Sequence, residues 1–125
     1  MQKKIYIAGC GGMLGLAFYE EFKSKFNLKC TDKDVNETWL SYLDFRSFDE
    51  YLKDVKEFNP DYLFHLGAYT DLEFCEKNSD DTYLTNTTSV ENAVFISNTL
   101  NIPLLYISTA GIFDGQQELY DDWDV

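Results

Sequence analysis

Three glycines at intervals of three, Gly9, Gly12 and Gly15, stand where a short apolar run gives way to a helical pattern. That arrangement suits the holding of a phosphate. Gly9 allows a tight turn out of a strand, Gly12 lets backbone approach a pyrophosphate, and Gly15 lets a helix pack close to a sheet. The N–H groups and positive dipole end of that helix, with Met13 and Leu14 as cofactor-binding candidates, then face the anion. The spelling is Gly-x-x-Gly-x-x-Gly, because Leu14 takes the last glycine's place in Gly-x-Gly-x-x-Gly. A glycine turn without a ligand is the competing reading. A strand before and a helix after favour the cradle.

A carboxylate supports the same chemistry. Asp32 follows the second apolar run, 23 residues after Gly9, near the ~20 expected of the acid that holds an adenosine ribose. It would accept from both ribose hydroxyls and repel a 2′-phosphate, which favours NAD over NADP. Lys33 beside it keeps NADP open, and a solvated turn across Thr31–Asp34 is the plainer alternative.

These residues need a frame that brings strand ends together. Lys4–Ala8, Leu28–Thr31, Tyr62–Leu66 and Leu104–Ser108 are strand-forming runs, and Leu40–Leu43 is a weaker one. The last two of the four are continuous enough to be buried on both faces. Leu14–Phe26 has Leu14, Phe18, Phe22 and Phe26 on one helical face. Ser47 with Glu50 spells a capping box for a helix ending near Phe58, before Pro60. One long helix is expected over Asp80–Leu100. The order β-α-β-(β)-α-β-α-β predicts a three-layer α/β Rossmann domain with a parallel sheet in the order 3-2-1-4-5.

Composition bounds the function. The 125 residues carry 22 acidic and 10 basic side chains, a formal charge of −12. Such a field repels nucleic-acid phosphates and anionic lipid, so neither is an expected partner. Hydrophobic residues at 45% support a packed core. Cys10, Cys30 and Cys75 follow no metal-ligand spacing, so no metal site is expected, and they suit a reducing, cytoplasmic compartment. No apolar run approaches the ~20 residues of a membrane span.

Beyond the glycines, Leu43-Asp44, His65-Leu66-Gly67-Ala68 and Ser108-Thr109 occur in the order seen in extended short-chain dehydrogenases/reductases. The chain resembles that family, and most closely its dTDP-4-dehydrorhamnose reductase branch. Ala68-Tyr69-Thr70-Asp71-Leu72-Glu73-Phe74-Cys75-Glu76 echoes one motif of the branch, and Asn86-Thr87-Thr88-Ser89-Val90-Glu91 matches another. Ser108-Thr109-Ala110-Gly111-Ile112-Phe113-Asp114-Gly115 matches a third in part. The resemblance implies that Asp44 and Phe45 border the adenine, with Asp44 accepting from its amino group. It implies that Leu66, Gly67 and Ala68 line the cofactor groove, with Tyr69 and Thr70 near the nicotinamide-side ribose. Asn86 would brace the centre of the sheet. Thr109, beside Ser108, would hydrogen-bond the substrate oxygen during hydride transfer.

The implied activity is hydride transfer between NAD or NADP and a nucleotide-sugar, a small-molecule substrate. Ala110-Gly111 stands where the reductases have Asp-Tyr, and small residues there are more typical of epimerases and dehydratases. The family's Tyr-x-x-x-Lys pair belongs some twenty or more residues after Thr109, outside the chain. Residues 1–125 are therefore expected to form one incomplete N-terminal NAD(P)-binding domain, with no turnover alone. A non-catalytic NAD(P)-binding regulatory subunit is the rival from another class, and a flavodoxin-like receiver fits poorly because it needs carboxylates after the first strand. Homodimers that pair the long helix with a second helix occur in the family, so a homodimer is one assembly to expect.

Other constellations have plainer explanations. Tyr19-Glu20-Glu21-Phe22-Lys23 spells Tyr-x-x-x-Lys but lies in the first helix, where a half-buried aromatic and a solvated lysine suffice. His65 is the only histidine and is expected to pack. Cys10 is expected to be a small loop side chain, although a helix start can lower a thiol pKa. Asp80-Asp81 suits a helix start, and Asp121-Asp122 a solvated loop. Phe18, Phe22, Phe26, Tyr51, Phe58 and Phe95 are expected in the core.

Overall fold

Alternating side-chain direction along β1 (Lys4–Ala8), which is continuously apolar from Ile5 on, divides the molecule into two cores. The computed structural model describes residues 2–124. Tyr6 and Ala8 point to one side of β1, where they pack with Tyr51, Val55, Ala93 and Ile96. Ile5 and Ile7 point to the other, where Phe18, Tyr19 and Phe22 cover them. These side chains come from α2 (Phe48–Phe58) and α5 (Ser89–Leu100) on the first face, and from α1 (Met13–Phe22) on the second. Each fully buried Ile or Leu contributes about 1.5–3 kcal/mol, so both layers are held by ordinary apolar burial.

Between them lies one parallel sheet in the order β3-β2-β1-β4-β5, as the alternation predicts. The other strands are β2 (Asn27–Asp32), β3 (Leu40–Tyr42), β4 (Tyr62–His65) and β5 (Leu104–Tyr106). Ile7 pairs with Cys30 on one side and Phe64 on the other, and His65 pairs with Tyr106. All five strands thus end at one edge of the domain, and the loops leaving that edge meet. No helix among the described residues is long and apolar enough to cross a membrane.

Several local expectations fail, each for a physical reason. The helix expected from Leu14 to Phe26 stops at Phe22, and Lys23–Lys25 form a turn that drops Phe26 against Phe22, ring centres 5.2 Å apart. Ser47 makes no side-chain cap at α2, whose first turn instead carries Asp49 and Glu50 at its positive dipole end. The run Leu104–Ser108 is a shorter strand, and it is not buried on both faces. β5 lies at the edge of the sheet, leaving Leu105, Tyr106 and Ile107 exposed. Phe95 is 61% exposed on the outer side of α5 and is not a core residue. The single helix expected over Asp80–Leu100 is present and runs unbroken from Ser79, but it contains a π-turn (Leu84–Thr88) between α4 (Ser79–Tyr83) and α5, and a separate α3 (Leu72–Lys77) precedes it. Asn78, with φ −129° and ψ 54°, breaks the chain between α3 and α4. The Tyr19–Lys23 pair does structural work, with Tyr19 stacked on Trp39 at 4.0 Å and Lys23 5.2 Å from the Tyr19 ring centre.

His65 packs as expected, in a fully paired setting. Nδ1 lies 2.9 Å from the Tyr51 hydroxyl and Nε2 lies 3.0 Å from Ser89 Oγ. Burial pulls its pKa from 6.5 down to about 4. The unfolded chain therefore binds this proton first as pH falls, so stability drops between pH 6.5 and 4 and is unaffected by His65 above that window. At about 1.4 kcal/mol per pH unit, the loss reaches roughly 3 kcal/mol. Urea melts at pH 7, 5.5 and 4.5 should show it, and His65→Gln should remove most of the slope in that range.

Candidate functional site

The strand ends enclose an open groove of about 1150 Å³. The loop from β1 to α1 brings Gly9, Gly12, Met13, Leu14 and Gly15 to its wall. β2 ends there with Asp32, and the chain after β3 adds Phe45. The segment after β4 contributes Leu66, Gly67, Ala68, Tyr69 and Thr70. Asn86 enters from the π-turn, and Ser108 and Thr109 follow β5. Residues drawn from scattered parts of the sequence are thus gathered on one surface. Asp44 is the exception.

The glycines do different work. Gly9 has φ +80°, and a Cβ there would stand 2.1 Å from the Gly67 nitrogen. Both facts require glycine. A Cβ on Gly15 would stand 2.2 Å from the Cys10 carbonyl oxygen, so this glycine lets α1 close on its own loop more than on the sheet. Gly12 has nothing within 4 Å of its Cβ position, and it is the N-cap of α1 with no side chain capping the helix. The start of α1 therefore offers backbone N–H groups to open space, the geometry that receives an anion.

Asp32 braces the cradle as well as facing the groove. One carboxylate oxygen accepts from the Gly11 N–H at 2.8 Å and the other from the Asp34 N–H at 3.2 Å. Each oxygen retains a free lone-pair direction for a ribose hydroxyl. Lys33 and Asp34 also line this end.

Asp44 is not among the residues lining the groove; it lines a separate hollow of about 240 Å³ with Glu50, Lys53 and Asp54. Its oxygens accept from Arg46 Nε at 2.9 Å and Nη2 at 3.0 Å, a bidentate pair. That hydrogen-bonded guanidinium holds the Asp44 carboxyl below its usual range. Arg46 Nη1 also donates to Asp81, whose second oxygen accepts from the Tyr69 hydroxyl at 3.1 Å. Asp81 consequently ties α4 to the groove rather than merely opening a helix.

The segment after β4 is fixed through its backbone. Asn86 Oδ1 accepts from the Tyr69 N–H at 2.7 Å, and Asn86 Nδ2 donates to the Tyr69 carbonyl at 2.9 Å. Thr109 lies exposed at the opposite lip, its hydroxyl accepting from the Gly111 N–H at 3.1 Å. Cys10 is fully buried, 3.3 Å from the Gly15 carbonyl, and contact with Cys30 together with burial pushes its thiol up. It is a packed loop residue without nucleophilic character. No group of His, Cys, Asp or Glu among the described residues is arranged to hold a metal ion.

The wall also contains Leu72, Cys75, Thr82, Thr85, Val90, Tyr106 and Ile107, which the sequence did not single out. Thr82, Thr85 and Asn86 share a helical face, a spacing visible in the sequence. The π-turn that aims them has no comparable signature.

A profile of the RmlD substrate binding domain family matches residues 3–124. The chain is 21% identical over 124 residues to a probable low-salt glycan biosynthesis reductase of Haloferax volcanii, covering 95% of this chain and 41% of that protein. It is 25% identical over 114 residues to the spore coat polysaccharide biosynthesis protein SpsK of Bacillus subtilis, covering 90% and 38% respectively. A dTDP-4-dehydrorhamnose reductase from Bacillus anthracis, solved in complex with NADP, superposes with a TM-score of 0.82 at 28% identity, covering 94% of this chain and 40% of that one. The chain thus spans about two-fifths of the length of these proteins. With sequence profile and strand order in agreement along nearly its whole length, the chain belongs to the RmlD substrate binding domain family.

Proposed function

We propose that this chain is the NAD(P)-binding part of a nucleotide-sugar oxidoreductase, of the dTDP-4-dehydrorhamnose reductase kind. One observation carries the reading: an uncapped helix start, with open space at Gly12, faces a groove of about 1150 Å³ lined from Asp32 to Thr109. The relatives supply the class of chemistry, since they include a glycan biosynthesis reductase and a dehydrorhamnose reductase holding NADP.

The residues present fit such a group. Backbone N–H groups at the start of α1 would take the pyrophosphate, Asp32 the adenosine ribose, and Tyr69 and Thr70 the region of the second ribose. Bound there, the dinucleotide would supply or accept a hydride. Thr109 would hold the reacting oxygen of the sugar by its hydroxyl. The whole protein then needs a proton donor, and Tyr69 does not serve, because its hydroxyl is committed to Asp81. Ala110-Gly111 supports a second reading, an epimerase or dehydratase, on the same cofactor site.

Three outcomes test this reading. NADH titrated into the 125-residue chain should bind weakly, perturb amide resonances of residues 9–15 and 66–70, and give no turnover with a dTDP-4-keto sugar. Shifts confined to other residues would sink it.

Gly12→Ala should leave stability within about 1 kcal/mol yet weaken NADH binding about tenfold, or ~1.4 kcal/mol. Gly9→Ala should instead destabilise the fold by about 2 kcal/mol or more. Melting curves and isothermal titration separate the two effects.

The parent chain should bind NADH several-fold more tightly than NADPH, by the repulsion between Asp32 and a 2′-phosphate. Asp32→Asn keeps an acceptor for the Gly11 N–H but removes the charge, and should shift the ratio about tenfold toward NADPH, ~1.4 kcal/mol. An unchanged ratio would show that Asp32 does not select the cofactor.

A further inference from the structure

The π-turn Leu84–Thr88 is a costly piece of backbone with no local cause. In an α-helix the Ser89 N–H would donate to the Thr85 carbonyl, four residues back. Here it donates to the Leu84 carbonyl, five back. Within the turn the hydroxyl of Thr85 is also buried without a hydrogen-bond partner, as is that of Thr82 in the turn of α4 before it. Each such group costs about 1–3 kcal/mol. Proline and glycine, which often distort helices, are absent from this stretch. Something outside the turn must hold it.

The structure supplies one continuous connection from the core. Ser89 Oγ donates to the Thr85 carbonyl that its own N–H has released. Having spent its proton there, Oγ can only accept from His65 Nε2, 3.0 Å away. That requires the proton of neutral His65 on Nε2, so Nδ1 accepts from the Tyr51 hydroxyl at 2.9 Å. Tyr51, His65 and Ser89 are fully buried, and Thr85 is 3% exposed. Every donor in the relay has one acceptor, and its direction is unique.

We propose that Ser89, oriented by His65, is a positioning residue that holds the π-turn and thereby sets the groove wall. Each α-helical residue turns the chain by about 100°. Removing the extra residue of the π-turn would rotate Asn86 off the face from which it grips both backbone groups of Tyr69. Two buried residues that are not themselves part of the groove lining would thus govern the segment that lines it. The effect on ligand affinity rests on the groove being the dinucleotide site, whereas the effect on Tyr69 does not.

Amide hydrogen exchange in the 125-residue chain gives the test, with the Tyr69 N–H measured against the core amide of Ile7. Ser89→Ala should speed Tyr69 exchange at least tenfold relative to Ile7. His65→Asn keeps a polar group near Tyr51 but cannot reach Ser89, and should do the same. His65→Gln restores a donor near the Nε2 position and should return the rate to within threefold of the parent. Tyr51→Phe should lower global stability while leaving the ratio within threefold. A Ser89→Ala ratio unchanged within threefold overturns the proposal, as does an equal response of the two His65 variants. NADH titration of the same proteins separates the two readings. Faster Tyr69 exchange with unchanged NADH affinity supports the relay and counts against the groove as the dinucleotide site.

Discussion

The site depends on a stack of contacts with no room for a side chain. Gly9, leaving β1, lies so close to Gly67 that a Cβ would stand 2.1 Å from the Gly67 nitrogen, and a Cβ on Gly67 would stand 2.3 Å from the Phe45 ring. These residues follow β1, β4 and β3, so the exits of separate strands converge on one point. The convergence turns a sheet edge into a crevice. It also fixes where α1 begins, because Gly9 and Cys10 donate to the Thr31 carbonyl at 2.9 Å and Gly15 closes against the Cys10 carbonyl. Larger residues at these contacts would separate the loops by more than a hydrogen bond spans.

Around this point the polar groups fall into two braces. The Arg46 guanidinium joins Asp44, Asp81 and through it the Tyr69 hydroxyl. Asn86 holds the Tyr69 backbone from the other side. Tyr69 is therefore constrained at its main chain and its side-chain tip, which suits a residue lining a site better than one filling a core. Preorganisation of this kind lowers the ordering cost of binding.

The sheet order, the glycine loop and Asp32 were legible in the sequence because they depend on short-range signals, whereas the groove residues after β3, β4 and β5 were implied only by the family resemblance. Glycines mark turns, apolar runs mark strands, and parallel topology brings the strand ends together. What escaped depends on contacts that form only on folding. The resemblance implied that Asp44 borders the adenine; in the fold both its oxygens accept from Arg46, and Asp44 is not among the residues lining the groove. Phe95 and the β5 residues looked buried because hydrophobicity reports a tendency to be covered, and only packing shows which face is covered. The π-turn was invisible since its cause lies in His65, on a different element. The distinction is between patterns that a residue shares with its neighbours and contacts that only folding creates.

An acidic protein that is to hold an anion, as proposed for this groove, must do so with dipoles rather than net charge. The formal charge is −12, but at physiological salt fields decay over about 8 Å. Many carboxylates are already matched: Asp54 with Lys29, Asp44 and Asp81 with Arg46, and Glu20 with Lys23. In the groove wall Lys33 is the basic residue, flanked by Asp32 and Asp34. Attraction for a pyrophosphate therefore falls to the backbone N–H groups of α1, worth about 0.3–1 kcal/mol as a dipole effect and up to ~2 in favourable geometry. Terms of that size work only at hydrogen-bond distance. On the proposed reading, affinity is thus a matter of how closely backbone can approach, which is what the open space at Gly12 permits.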